Sequence, residues 1–240
     1  WQRLRYPITI FLQMIFLLSL GYYSQEKIIL RYLNLNSLTV KASYGKLSDK
    51  KFAHKAMDFL ERHHIKGNFF NDLSSGHRLI AHNYPDIRVY IDGRTEVYGA
   101  EFYKTYLKIM NGGNWELFEK EAEKGNITGI FLSTMGGSIP TKFLREIYSH
   151  AEWKLIYFNF DAVIFLKDIP QFQELIAKKA VNLNLWKTKE PNPHLTRYPV
   201  LAVAYYSRAK VLNDLGFHEQ AEEELREALS IDPFNEDVLM

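Results

Sequence analysis

Gly67-Asn68-Phe69-Phe70-Asn71-Asp72-Leu73-Ser74-Ser75-Gly76 is the stretch on which the fold turns. Gly67 opens a short strand over Asn68–Asn71. The polar run Asp72–Gly76 is expected to be a loop leading into a short helix that ends near Tyr84-Pro85. The same order recurs downstream. Arg88–Asp92 reads as a second strand, closed by Gly93-Arg94, and Ala100–Met110 as a helix. Asn111–Asn114 is a turn, and Trp115–Lys124 a helix with Leu117, Phe118 and Ala122 inward. Ile127–Ser133 is a third strand, apolar enough to be covered on both faces. Upstream, Phe52, Ala56, Phe59, Leu60 and His63 recur at helical steps, which predicts an amphipathic helix over Asp49–His64 capped by Ser48. Gly136-Gly137-Ser138 precedes a helix with Pro140 near its first turn. Trp153–Phe158 and Ala162–Leu166 are strands joined through Asn159-Phe160-Asp161 as a hairpin. Strands alternating with helices predict an α/β domain over residues 46–168. It has three layers, a mainly parallel sheet and an antiparallel pair at one edge.

Composition narrows the function classes. The 240 residues are 47% apolar and 24% charged, which excludes a disordered chain or a collagen. Absence of cysteine excludes a disulfide scaffold, a thiolate metal site and a cysteine nucleophile. The net charge of +2 conceals an asymmetry. Ala202 to Met240 holds three Lys or Arg against nine Asp or Glu, a net of −6, so the rest carries +8. Neither part has the dense basic face of a nucleic-acid binder. The chain begins at Trp1 and ends on Val238-Leu239-Met240, which suggests a piece of a longer protein.

Tyr6–Tyr23, YPITIFLQMIFLLSLGYY, has no charge, and Gln13 is its one strongly polar residue. As a helix it extends roughly 27 Å, close to the hydrocarbon thickness of a bilayer. Trp1 and Tyr6 at one end and Tyr22 and Tyr23 at the other match interfacial anchors. Arg3 and Arg5 flank one side and Lys27 and Arg31 the other, so charge does not orient it. The expectation is a transmembrane helix within residues 1–24, contacting lipid through residues 6–23. The alternative is a buried core helix. Residues 25–45 form a connector in which Leu38, Val40 and Tyr44 could make a short strand.

Residues 169–199 read as a helix, Ile169–Trp186, and a proline-rich linker, Thr188–Pro199. Residues 200–240 read as a helical hairpin matching one tetratricopeptide (TPR) unit of about 34 residues. Tyr205 takes the large aromatic position, Ala209 the crossing point and Leu212 the next core site. Gly216 breaks the chain, Ala221, Leu225 and Ala228 line the second helix, and Pro233 ends it. Arg208 stands where leucine is usual, which predicts a weaker packing contact. A single repeat must stack on something: the Ile169–Trp186 helix, a following repeat or another protein. Such units bind proteins or peptides, and this one is acidic, favouring a basic ligand.

Four constellations could carry chemistry. Asn71, Ser74, Ser75 and Gly76 lie where an α/β sheet binds ligands, and backbone N–H groups there could hold an anion. Helix capping by Ser74 or Ser75 is the plainer reading. Asp92 and Arg94, after the second strand, could bind a polar ligand or pair with each other; with the first loop they mark the best candidate cleft. His63-His64 and the His77/His82 pair have poor metal-ligand spacing, and no HExxH motif occurs, so no metal or cofactor is expected. No G-x-S-x-G elbow is present, and Ser138 reads as a cap, so no catalytic residue is assigned.

The order of parts resembles the C-terminal soluble region of bacterial multi-spanning membrane proteins similar to GT-C glycosyltransferases of the dolichyl-phosphate-mannose type. Ile91-Asp92-Gly93-Arg94 with Tyr98-Gly99 carries the resemblance, which extends over residues 1–168; Ser74-Ser75-Gly76 departs from the Trp-Gly-Gly core usual in those relatives. The resemblance implies a bacterial inner-membrane protein with this domain on the extracytoplasmic side. It also implies that catalytic acids lie in loops absent from this chain, the domain here positioning an acceptor. The other expectation is a membrane-anchored scaffold recruiting a protein through the TPR unit. A small-molecule binder using the loops at 74–76 and 92–94 is a third.

Overall fold

The computed structural model describes residues 13–22, 54–134, 139–188 and 198–231. The Ser48 cap, Phe52, the connector strand, the Gly136–Ser138 turn, most of the proline-rich linker and Pro233 lie outside them. The chain divides into two compact units, Trp1–Ser48 and Asp49–Met240.

In the first unit, residues 13–22 form helix α1, and all ten are exposed. Met14, Ile15, Phe16, Leu17, Leu18, Leu20 and Tyr22 are each 47–70% exposed. The expected span runs beyond the described residues at both ends. Among the described residues no helix is long and apolar enough to cross a membrane.

The second unit contains, in order, α2 (His54–Arg62), β1 (Gly67–Asn71), α3 (Leu73–Asn83), β2 (Ile87–Val89), α4 (Thr95–Tyr98), α5 (Ala100–Gly112), α6 (Trp115–Lys124), β3 (Ile127–Ser133), α7 (Thr141–Ser149), β4 (Trp153–Phe158), β5 (Ala162–Lys167), α8 (Gln173–Lys179), a 3-10 turn (Leu183–Leu185), α9 (Tyr198–Asp214) and α10 (His218–Ile231). Five strands make one mixed sheet in the order β2-β1-β3-β5-β4. β1 pairs in parallel with β2 and β3, while β5 runs antiparallel to both β3 and β4. The domain is α/β with the expected antiparallel pair at one edge, but the sheet is evenly mixed rather than mainly parallel, because β5 also pairs antiparallel with β3.

Alternation along the strands builds two apolar layers, because neighbouring side chains point to opposite faces. Phe70, Ile130, Leu132, Val163 and Phe165 pack with α5, α6 and α7. Phe69, Phe131, Ile156, Ile164 and Leu166 pack with α2, α3 and α8 on the other side. Each buried phenylalanine contributes about 1.5–3 kcal/mol by leaving water. Gly129 lies opposite Phe69 in the β1–β3 register, and the Phe69 ring lies across it. A Cβ at Gly129 would come 2.5 Å from Phe69 Cε1, so the flat ring requires glycine beside it.

Three further expectations are corrected. Residues 72–76 are not a loop before a helix: α3 starts at Leu73, and Ser74, Ser75 and Gly76 are its first turn. The helix expected over Ile169–Trp186 is shorter, because the chain leaves it at Ala180 to cover the edge of the sheet. There the Val181 N–H donates to the Leu155 carbonyl at 2.8 Å. Arg208, expected only to loosen a packing contact, pairs inside the C-terminal hairpin with Glu224, as described below.

Candidate functional site

The connection after β1 passes to the face holding Leu79 of α3, and the connection after β3 passes to the face holding Phe143 of α7. The carboxyl ends of β1 and β3 therefore diverge, which is where open α/β sheets accommodate ligands. Asp72 fills this position. Its Oδ1 accepts from Ser74 Oγ at 2.5 Å and the Ser75 N–H at 3.0 Å. Its Oδ2 accepts from Ser75 Oγ at 2.6 Å and from the Ser133 N–H, across the crevice on β3, at 2.8 Å. One carboxylate thus caps α3 and ties β1 to β3. The cap expected from Ser74 or Ser75 comes instead from Asp72, with both serines donating to it. An anion at this helix start would meet that carboxylate and find the Ser75 amide taken.

Asn71 is fully buried beside it. Its Nδ2 donates to the carbonyls of Ile91 and Asp72, both at 2.8 Å, and its Oδ1 accepts from the Tyr90 N–H at 3.0 Å. The side chain stitches the end of β1 to the chain leaving β2. Gly76 allows α3 to press on that same segment. A Cβ there would stand 2.8 Å from Asp92 Cα and closer still to the Ile91 carbonyl oxygen. The Leu73 N–H donates to Tyr106 Oη at 2.9 Å, and burial pushes that phenol upward.

Asp92 is 2% exposed, and its carboxylate is enclosed by its own turn. It accepts from the Arg94 N–H at 2.9 Å, Arg94 Nε at 3.0 Å and Arg94 Nη2 at 2.5 Å. Arg94, with further help from Tyr98, holds the Asp92 carboxyl down at about 2. The Arg94 guanidinium is raised by the same contacts. Of the two readings of this turn, the Asp–Gly–Arg ion pair is the one the geometry displays. Outward from it, the rings of Tyr98, Phe102, Tyr90 and Phe70 form a column with centroids 4.7–5.1 Å apart, joining α4 and α5 to the sheet.

Asp161, in the β4–β5 turn, escaped the sequence reading. It is 1% exposed and accepts from the Ala56 N–H and from Tyr157 Oη, both at 2.8 Å, fastening the first turn of α2 to the hairpin. Burial raises its carboxyl, against the pull of these hydrogen bonds. No local pattern marks it, because the Ala56 N–H that holds it lies 105 residues away in the chain. His63 packs its ring on Phe59 at 4.5 Å and is lowered by burial, while His64 is exposed. No cluster of His, Asp or Glu among the described residues could hold a metal ion.

The C-terminal hairpin buries Tyr205, Ala209, Leu212, Ala221 and Ala228; Leu225 is half-buried, and Gly216 turns the chain at φ 88°. Glu224 is wholly buried between α9 and α10. Its Oε2 accepts from Arg208 Nε at 2.9 Å and Nη2 at 2.7 Å, and its Oε1 from Trp186 Nε1 at 2.9 Å. Arg208 also lies 4.6 Å over the Tyr205 ring. Trp186 stands edge-on to Phe158 of β4 at 4.6 Å, so this buried cluster ties the hairpin to the sheet. A second contact joins the hairpin to α7. Thr141 Oγ1 donates to Asp214 at 3.0 Å, Arg145 donates to the Asp214 carbonyl, and Tyr148 meets Phe217 edge-on. The hairpin thus stacks on α7 and Trp186 rather than along α8.

No protein family, curated protein or solved structure matches the chain.

Proposed function

We propose that this chain is a membrane-anchored region whose α/β domain and TPR-like hairpin hold a protein partner, on the extracytoplasmic side. The observation that carries the reading is α1: seven large apolar side chains are exposed around its whole circumference. An all-round apolar helix needs an apolar surrounding. The α/β domain supports a scaffold role, because the carboxylates of Asp72 after β1 and Asp92 after β2 are engaged by the domain's own donors. On the hairpin, α9 is mostly buried or half-buried over residues 202–214, so the surface offered to a partner is that of α10, with Glu219, Glu222 and Glu223 exposed. A basic partner fits it.

A second reading is the acceptor-positioning domain of a membrane glycosyltransferase with a lipid-linked sugar donor. It draws support from one observation: Asp92, Arg94 and Tyr98, which carry the family resemblance, act as one unit.

The test is fractionation of cells expressing the full chain. The chain is expected to stay with membranes through alkaline carbonate, and a version lacking residues 1–24 is expected in the supernatant. Recovery of the full chain in the supernatant would reject the anchor. For the partner, Glu222→Lys with Glu223→Lys should abolish capture. Deleting residues 200–240 is a poorer test, since it would strip Val211, Leu212 and Ala221 from the core.

A further inference from the structure

We infer that α1 docks a second copy of this chain through Gln13. The inference rests on the membrane reading above. Gln13 is seven residues from Tyr6 and ten from Tyr23. In the helix expected from the sequence over residues 6–23 these are about 10 Å and 15 Å, which would place the carboxamide near the middle of the hydrocarbon. Water is absent there, so a polar side chain must find a protein partner. Ser19 finds one in its own helix, its hydroxyl donating to the Phe16 carbonyl at 2.9 Å. Gln13 is exposed. A carboxamide carries both donors and an acceptor and is therefore complementary to another carboxamide. Two copies related by a two-fold axis would each donate one N–H and accept one, closing the contact. By helical spacing Gln13 shares its face with Phe16, Leu17 and Leu20, all more than half exposed, while Ile15, Leu18 and Tyr22 lie on the far side. The interface is thus a polar pair within an apolar stripe, the form in which Gln side chains join membrane helices.

Absence of cysteine makes a clean crosslinking test possible. The full chain, carrying either Leu20→Cys or Leu18→Cys, is reconstituted in phosphatidylcholine vesicles and oxidised with copper phenanthroline. Leu20→Cys should give a disulfide-linked dimer and Leu18→Cys several-fold less. Adding Gln13→Leu to Leu20→Cys should reduce the dimer about fivefold or more. Leucine is more apolar than glutamine, so insertion is preserved, and alkali-resistant retention checks it in each sample. Equal crosslinking on the two faces, no effect of Gln13→Leu, or a retained chain without dimer overturns the pairing and leaves the anchor standing; the last result would point to a helix of another protein as the occupant. Release by alkali removes both.

Discussion

Leucine is the residue that the repeat pattern expected from the sequence would put at position 208, yet Arg208→Leu is predicted from the structure to destabilise the domain. Glu224 is wholly buried, and Arg208 supplies two of its three observed donors, with Trp186 the third. Arg208→Leu leaves a buried carboxylate with the indole N–H alone, and breaking a buried pair in this way costs about 3–5 kcal/mol. Loss of the guanidinium over Tyr205 adds about 0.5–1 kcal/mol. The double variant Arg208→Leu/Glu224→Leu removes both charges and leaves only the Trp186 N–H unmatched, at about 1–3 kcal/mol. The double variant is therefore expected to be more stable than Arg208→Leu alone, an inversion that a simple loss of contacts cannot produce. Urea unfolding of the full chain in mild detergent, followed by tryptophan fluorescence, measures the unchanged chain, Arg208→Leu, Glu224→Leu and the double variant, with Trp186 inside the perturbed cluster. The reasoning fails if Arg208→Leu costs less than about 1 kcal/mol, or if the two single changes simply add.

Other consequences follow from the same contacts. Gly76→Ala should cost about 1–3 kcal/mol or more, because the new methyl meets the backbone of Ile91 and Asp92 rather than a yielding side chain; thermal unfolding reads it. Asn71→Ala takes the donor from the Ile91 carbonyl and the acceptor from the Ile91 N–H and should lower stability by about 1–3 kcal/mol in the same assay, with hydrogen exchange rising more at the Ile91 amide than at that of Tyr90, which keeps the Phe69 carbonyl at 2.8 Å. The two buried aspartates should titrate with opposite signs. Asp92 is held down to about 2, so its contribution is present above the unfolded value near about 4 and lost as pH falls from there toward about 2. Asp161 is raised by burial, so its contribution is greatest below about 4 and declines as pH climbs. Measured against Asp92→Asn and Asp161→Asn, the stability differences should slope in opposite directions with pH; parallel slopes would show that one environment is misassigned.

How far the fold was legible depended on how local each cause is. Trp115–Lys124, Ile127–Ser133 and Trp153–Phe158 were delimited by sequence alone, since the Asn111–Asn114 turn precedes the helix and short, largely apolar runs define the strands. The start of α3 was missed because Asp72, not a serine, is its cap, and its second oxygen serves Ser133, sixty-one residues away. The end of α8 was missed because it answers to an open edge on β4, which no local pattern in residues 169–186 reveals. Within the candidate site, Asp92 and Arg94 were readable as a pair from their spacing. Asp161 and Glu224 were not, because their donors come from α2 and from Trp186 with α9. Arg208 looked like a defect in a repeat, and it is one half of the buried pair that the adjoining helix requires.

Residence of α1 in lipid is the central claim to test. A nitroxide on Leu18→Cys, in the full chain reconstituted in vesicles, measures this directly by collision with oxygen and with a water-soluble nickel chelate. The prediction is strong broadening by oxygen and almost none by the chelate. Ready access of the chelate to the label would contradict it.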